Sequence, residues 1–155
     1  NLTKAGPINR QSVGVLELLH STRTAVHLVT LLEEMPVQET VDAAAELTAG
    51  GFHLGAVVVN RARPTLVTDG QVGPKGAVDL AELAHGLAAA GLDAALAKPL
   101  AGQLVEYADR QTVQAENRAR LVSVDAPRIE LPDLTPPVDL GELNELASYF
   151  QAEPS

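Results

Sequence analysis

The sequence predicts an α/β fold built on a parallel sheet, and three features carry that expectation. "TAVHLVT" (24–30) and "HLGAVVVN" (53–60) are short, β-branched and apolar, as buried strands are. The second is an almost unbroken run of Val and Ala, the pattern of a strand covered on both faces. Between them Val37, Val41, Ala44 and Leu47 recur at helical spacing. The unit therefore reads strand, helix, strand, with parallel strands and a right-handed crossover expected.

The other elements follow in order. Residues 1–10 read as loop, with Gly6 and Pro7 as punctuation, and Val15, Leu18 and Leu19 mark a helix over 11–20. Pro36 suits the first turn of the next helix, where its missing N–H costs nothing. Gly50 and Gly51 stop that helix, as a left-handed cap does. The stretch "RARPTLVTDGQVGPKG" (61–76) is rich in loop residues, and loops of that length are usually functional or mobile. A helical segment is expected at about 77–126. In it Leu80, Leu83 and Leu87 share one face, Gly91 is a break, and a polar helix covers 101–122. "RIELP" (128–132) is a short strand before a Pro-rich turn. A closing helix is expected to bury Leu143, Leu146 and Phe150, with the final "AEPS" frayed. No internal repeat is present.

Composition limits the function. The 155 residues fit one domain, and 46% are hydrophobic, so the chain can bury a core. The formal charge of −9 argues against a nucleic-acid backbone as partner, which demands clustered Lys and Arg. With no cysteine there is neither a disulfide framework nor a thiolate metal site, which fits a reducing compartment. No run approaches the roughly 18 apolar residues of a membrane-spanning helix. The four histidines (20, 27, 53 and 85) lack metal-ligand spacing, and His27 reads as a satisfied core histidine. There is no Gly-x-Ser-x-Gly elbow.

Candidate binding residues lie at strand ends. In open parallel sheets ligands sit beyond the carboxyl ends of the strands. Glu33 and Glu34 fall at such an end, where a carboxylate can accept hydrogen bonds from ribose hydroxyls. The plain alternative is that both simply answer the positive N-terminus of the following helix. Asn60 ends the next strand, and its amide offers the donor–acceptor pair that an adenine edge presents; a turn-forming Asn is the alternative. "GQVGPKGA" (70–77) looks like a phosphate loop but is not one. Lys75 is followed by Gly76 rather than by Ser or Thr, and no strand–loop–helix surrounds it. A flexible loop is expected there.

Taken in order, "TRTAVHLVTLLEEMPVQETVDAAAEL", "GAVVVNRARP" and "RIELPDLTPPVDLGELNELASYF" resemble the arsenical-pump-driving and tail-anchored-protein-targeting ATPases. These are dimeric P-loop ATPases of the anion-transporting group. The resemblance rests on Glu33 with Glu39-Thr40, on Val58-Val59-Asn60 with Pro64, and on Leu131-Pro132. It is strong over 20–65 and moderate over 127–150. It implies the C-terminal portion of a three-layer P-loop NTPase domain, with 77–126 as an inserted helical segment. The phosphate loop and switch segments would precede Asn1. On this resemblance Glu33 contacts the ribose of ATP, while Asn60 and Pro132 flank the adenine. Mg²⁺ comes through the other half, and the partner is an identical or related ATPase subunit, with a protein cargo. A cytoplasmic location follows, with membrane association only through partners. The zinc-clasp Cys-x-x-Cys and the arsenite-binding cysteines are absent, so neither zinc-bridged dimerisation nor arsenite export is expected. The chain alone is expected not to hydrolyse ATP and to expose apolar seams that favour self-association. The competing expectation is a non-catalytic, ATPase-like interaction module or cargo scaffold.

Overall fold

The computed structural model describes residues 7–68 and 70–151, with the side chains of 7–10 left aside. The chain forms two compact units: Asn1–Ala62 with Asn117–Ser155, and Arg63–Glu116.

The first unit holds the sheet. Strands β1 (Val26–Thr30), β2 (Leu54–Ala62) and β3 (Arg128–Pro132) are all parallel, in the order β1-β2-β3. The α/β expectation is met: three parallel strands flanked by helices. Ala56, Val57, Val58 and Val59 are all buried, so the continuous Val run does mark the central strand. Helix α2 (Glu34–Ala49) turns Val37 and Ala44 into a core with Leu32, Val57, Val59, Leu121 and Val124. Thr40 is buried on the same helix because its hydroxyl donates to the Pro36 carbonyl at 2.7 Å, which removes the penalty of an unpaired polar group. The helix ends in a Schellman motif. Gly51, at φ +78°, is the left-handed residue, with bonds from Gly51 N–H to Thr48 O and from Phe52 N–H to Leu47 O, both 3.0 Å.

Helix α1 (Pro7–Leu19) starts earlier than the sequence suggests. Residues 7–10 are helical rather than loop, because Pro7 takes the first helical position that proline favours; residues 1–6 lie outside the described residues. Its Val15, Leu16 and Leu18 are exposed.

Farther along the chain, α3 (Leu80–Ala89) and α4 (Ala97–Arg120) fill the expected helical segment. In the second unit, Asp79 caps α3 by accepting from the N–H groups of Ala81 and Glu82. The loop after Arg63 is hydrogen-bonded to α4 at several points. The Gln111 side chain pairs with both backbone groups of Val67, at 2.8 and 3.3 Å. Gln114 accepts from Arg63 N–H at 3.2 Å, and Tyr107 donates to Pro64 O at 2.7 Å. The "GQVGPKGA" segment is likewise a built turn, closed by Gly73 N–H on Ala77 O at 2.7 Å. These hydrogen bonds are invisible to a composition reading.

Helix α5 (Leu140–Tyr149) returns to the first unit. Its start is fixed by a capping box: Asp139 accepts from Gly141 N–H, and Glu142 Oε2 accepts from Asp139 N–H at 2.8 Å. Hydrogen bonding with Glu142, then with the Gly141 and Glu142 amides, holds the Asp139 carboxyl below the usual range. The expected burial of its apolar face is not found. Leu143 is 51% and Phe150 55% exposed, and Leu146 is half-buried. The periodicity marks a helix, and α5 lies against β3, but Leu143 and Phe150 remain open to solvent. The "AEPS" tail lies outside the described residues. No described helix is long and apolar enough to cross a membrane.

Candidate functional site

The carboxyl ends of the three strands converge because of register. Thr30 pairs with Val59, and Val59 with Glu130, so β1, β2 and β3 are level at that point. Beyond it the chain leaves β1 through Leu31 and buried Leu32 to reach Glu33. The Leu32 carbonyl is held by the side-chain amide of buried Asn117 at 3.4 Å. Asn117 is in turn tied to Arg120, at 3.3 Å, and Arg120 to Gln38 on α2. This chain of polar contacts fixes the turn on which Glu33 sits.

Glu33 is extended (φ −120°, ψ 154°) and occupies the N-cap of α2, yet its side chain caps no backbone N–H. Its backbone carbonyl begins the helix by accepting from Val37 N–H at 3.1 Å. The carboxylate is exposed and close enough to the Arg61 guanidinium to raise its pKa.

Asn60 is exposed, and its Oδ1 accepts from Arg61 N–H at 3.0 Å. That leaves the amide N–H groups and the second oxygen lone pair for a ligand. Arg61 then takes φ +54°, a left-handed conformation that costs a non-glycine residue about 1 kcal/mol or more. Pro132 pairs with Ala62, and the next residue, Asp133, donates its N–H to Ala62 O at 2.9 Å.

Glu33, Asn60 and Pro132 thus share one end of the sheet, although no hydrogen bond joins any two of them among the described residues. Arg61 and Asp133 were not singled out by the sequence reading. Arg61 Nε donates to Asp133 Oδ1 at 2.9 Å, and the bond, followed by the charge of Asp133 and then that of Glu33, raises the Arg61 pKa. One guanidinium between two carboxylates makes a polar, mixed-charge rim. The available signal was an Arg directly after one strand end, in "NRARP", and an Asp directly after another, in "LPDL".

Glu34 lies in the first turn of α2, where its charge suits the helix dipole. Among the described residues no group of three or more His, Asp or Glu side chains can hold a metal ion.

Against known proteins, the chain is 43% identical over 152 residues to ATPase BagA of Mycobacterium tuberculosis. It is equally similar to a Mycobacterium bovis protein, Mb3704, that also carries the word ATPase in its name. This chain is a relative of proteins named ATPases. The match covers 95% of the chain but 44% of each relative, so the chain spans less than half the length of the curated proteins it matches. No family model matches the chain.

Proposed function

We propose that the chain is the base- and ribose-contacting portion of an ATPase of the arsenical-pump-driving and tail-anchored-protein-targeting group, in which ATP binding and hydrolysis drive conformational change or partner handling. The observation that carries the reading is that Glu33, just past β1, Asn60, two residues short of the β2 end at Ala62, and Pro132, the last residue of β3, lie toward the carboxyl ends of three adjacent parallel strands, where such sheets bind ligands. Relatives named ATPases support it. In this reading Glu33 accepts from ribose hydroxyls, the Asn60 amide donates to and accepts from the adenine edge, and Pro132 packs beside the base. Phosphate binding needs a phosphate loop with its lysine and Mg²⁺. The 155 residues contain no such loop, so those groups come from elsewhere in a longer ATPase, which works with an identical or related subunit.

The test is the base preference of the full-length ATPase. Asn60→Ala removes up to two hydrogen bonds of about 0.5–1.5 kcal/mol each, so ATP affinity is expected to fall roughly five- to a hundredfold. The preference for ATP over GTP shrinks with it. Asn60→Asp is expected to be comparably harmful, because a second acceptor replaces the donor. If Asn60 only shapes the turn, thermal stability drops and the ATP/GTP affinity ratio stays put. An unchanged ratio in both variants sinks the adenine assignment.

A further inference from the structure

β1 and β2 do not run in simple register. Val26 pairs with Leu54 but Leu28 pairs with Val57, so β2 carries one extra residue at Gly55–Ala56. A bulge of this kind takes a backbone N–H out of the ladder. Here the freed donor is Ala56 N–H, and His27 Nδ1 accepts it at 3.0 Å. The sequence reading placed His27 in the core; instead it is exposed on β1 and satisfied by this bond. The imidazole lies over Gly55. A Cβ there would come within 2.4 Å of the ring Cε1 and 2.8 Å of each ring nitrogen. The bulge, the glycine and the histidine are therefore one device.

The device decides what leaves the sheet at its far end. With the extra residue, Thr30 pairs with Val59 and Asn60 is the next residue out. Without it Thr30 would meet Val58, Asn60 would stand one residue farther from the end of β1, and the facing of every later β2 side chain relative to β1 would reverse. We propose that His27 is a positioning residue: its neutral imidazole pins the Gly55–Ala56 bulge and so sets the level at which Asn60 emerges beside Glu33, and protonation of the ring releases the pin. The consequence for ligand binding rests on the nucleotide reading above; the pin itself does not.

The chemistry is specific. An N–H donor needs a ring nitrogen with a free lone pair, so Nδ1 must be bare and the proton must sit on Nε2. A protonated ring carries N–H at both nitrogens and sets donor against donor. Imidazoles change charge between pH 5 and 8. On β2 the ring meets Gly55 and Ala56, neither of them titratable. Val29 follows it on the same face of β1, and α2 with its carboxylates packs on the opposite face, where Leu28 joins Val37 and Ala44. Among the described residues no carboxylate, ammonium or guanidinium pairs with it.

The experiment is amide exchange and ring ¹⁵N shifts by NMR on the 155-residue chain at pH 8 and pH 5, corrected for intrinsic exchange. Ala56 protection is expected to drop roughly five- to tenfold at pH 5 relative to Val59, for a hydrogen bond lost. At pH 8 the ring shifts should report the Nε2–H tautomer. His27→Asn places an untitratable acceptor near the Nδ1 position and is expected to keep Ala56 protected at both pH values. His27→Leu is expected to leave Ala56 fast at both. Wild-type protection that ignores pH, or that His27→Leu leaves intact, overturns the pin. In full-length protein, ATP affinity that falls with pH in wild type but not in His27→Asn supports positioning. A pin that responds to pH while affinity stays flat in both overturns positioning. If the Asn60 variants also leave the ATP/GTP ratio unchanged, the fault lies with the site reading instead.

Discussion

Leu121→Ala is expected to destabilise the sheet-bearing unit by about 2–5 kcal/mol, the range for truncating a fully enclosed leucine. Leu121 sits in a short 3-10 turn, Leu121–Ser123, and has no exposed surface. It packs into the cluster formed by Leu32, Val37, Ala44, Val57, Val59 and Val124. Neighbours drawn from a strand, a helix and a turn cannot all close over the space left by the removed methyl groups, so the cavity cost adds to the lost transfer energy. The adjacent Val122 is 67% exposed and provides the control: Val122→Ala is expected to stay within about 0.5 kcal/mol. Urea unfolding of both variants checks this. Equal midpoints would show that the core is not built around Leu121.

Gly55→Val is expected to cost about 2–4 kcal/mol. Roughly 1–3 of this comes from forcing atoms into occupied space and about 1 from the hydrogen bond given up when the imidazole swings aside. The 2.4 Å approach to the ring is the cause, since the backbone at Gly55 is otherwise that of a strand. The cost should therefore depend on the ring. In a His27→Ala background the three nearest atoms that a Cβ at Gly55 would strike are gone, and a double-mutant cycle is expected to give a coupling of about 1–3 kcal/mol. Thermal or urea unfolding of the four proteins measures it. Additive effects would mean that glycine is needed there for a reason other than the imidazole.

Much of this fold is written locally. β-branched runs with helical spacing between them announce β1, α2 and β2, and "RIELP" coincides with β3 residue for residue. Helix existence was also legible for α5, but its burial was not. Periodicity records which residues could face a partner, not whether one is there. The staples that fix 63–67 were out of reach for a different reason. Gln111 and Val67 are far apart in sequence, and nothing local says that a helical glutamine will pair with a loop backbone. At the strand ends, Glu33 and Asn60 could be nominated because a strand end is a sequence feature, whereas Pro132 entered only through the resemblance to the ATPase group. Arg61 and Asp133 also stand next to strand ends, but their pairing was not legible, because it depends on β2 and β3 being neighbours. The His27 bulge was hidden too: one extra residue in a Val-rich strand leaves the apolar pattern nearly unchanged.

The order of strands along the chain bears on how the sheet assembles. β1 and β2 join when Val26 meets Leu54, closing a loop of about 30 residues, whereas Val57 meets Arg128 only across about 70. The longer closure costs under about 1 kcal/mol more in chain entropy, since that cost grows only with the logarithm of length. A separate unit of the size of Arg63–Glu116 can therefore interrupt the sheet at small thermodynamic expense. Its effect falls on timing instead, because distant pairings form slowly. During refolding, amides of β1 and the β1-facing edge of β2 are expected to gain protection before those of β3, and pulsed exchange would reveal the sequence. Until β3 arrives, one side of β2 stands open, and that interval is when the unfinished sheet is most exposed to pairing with another chain.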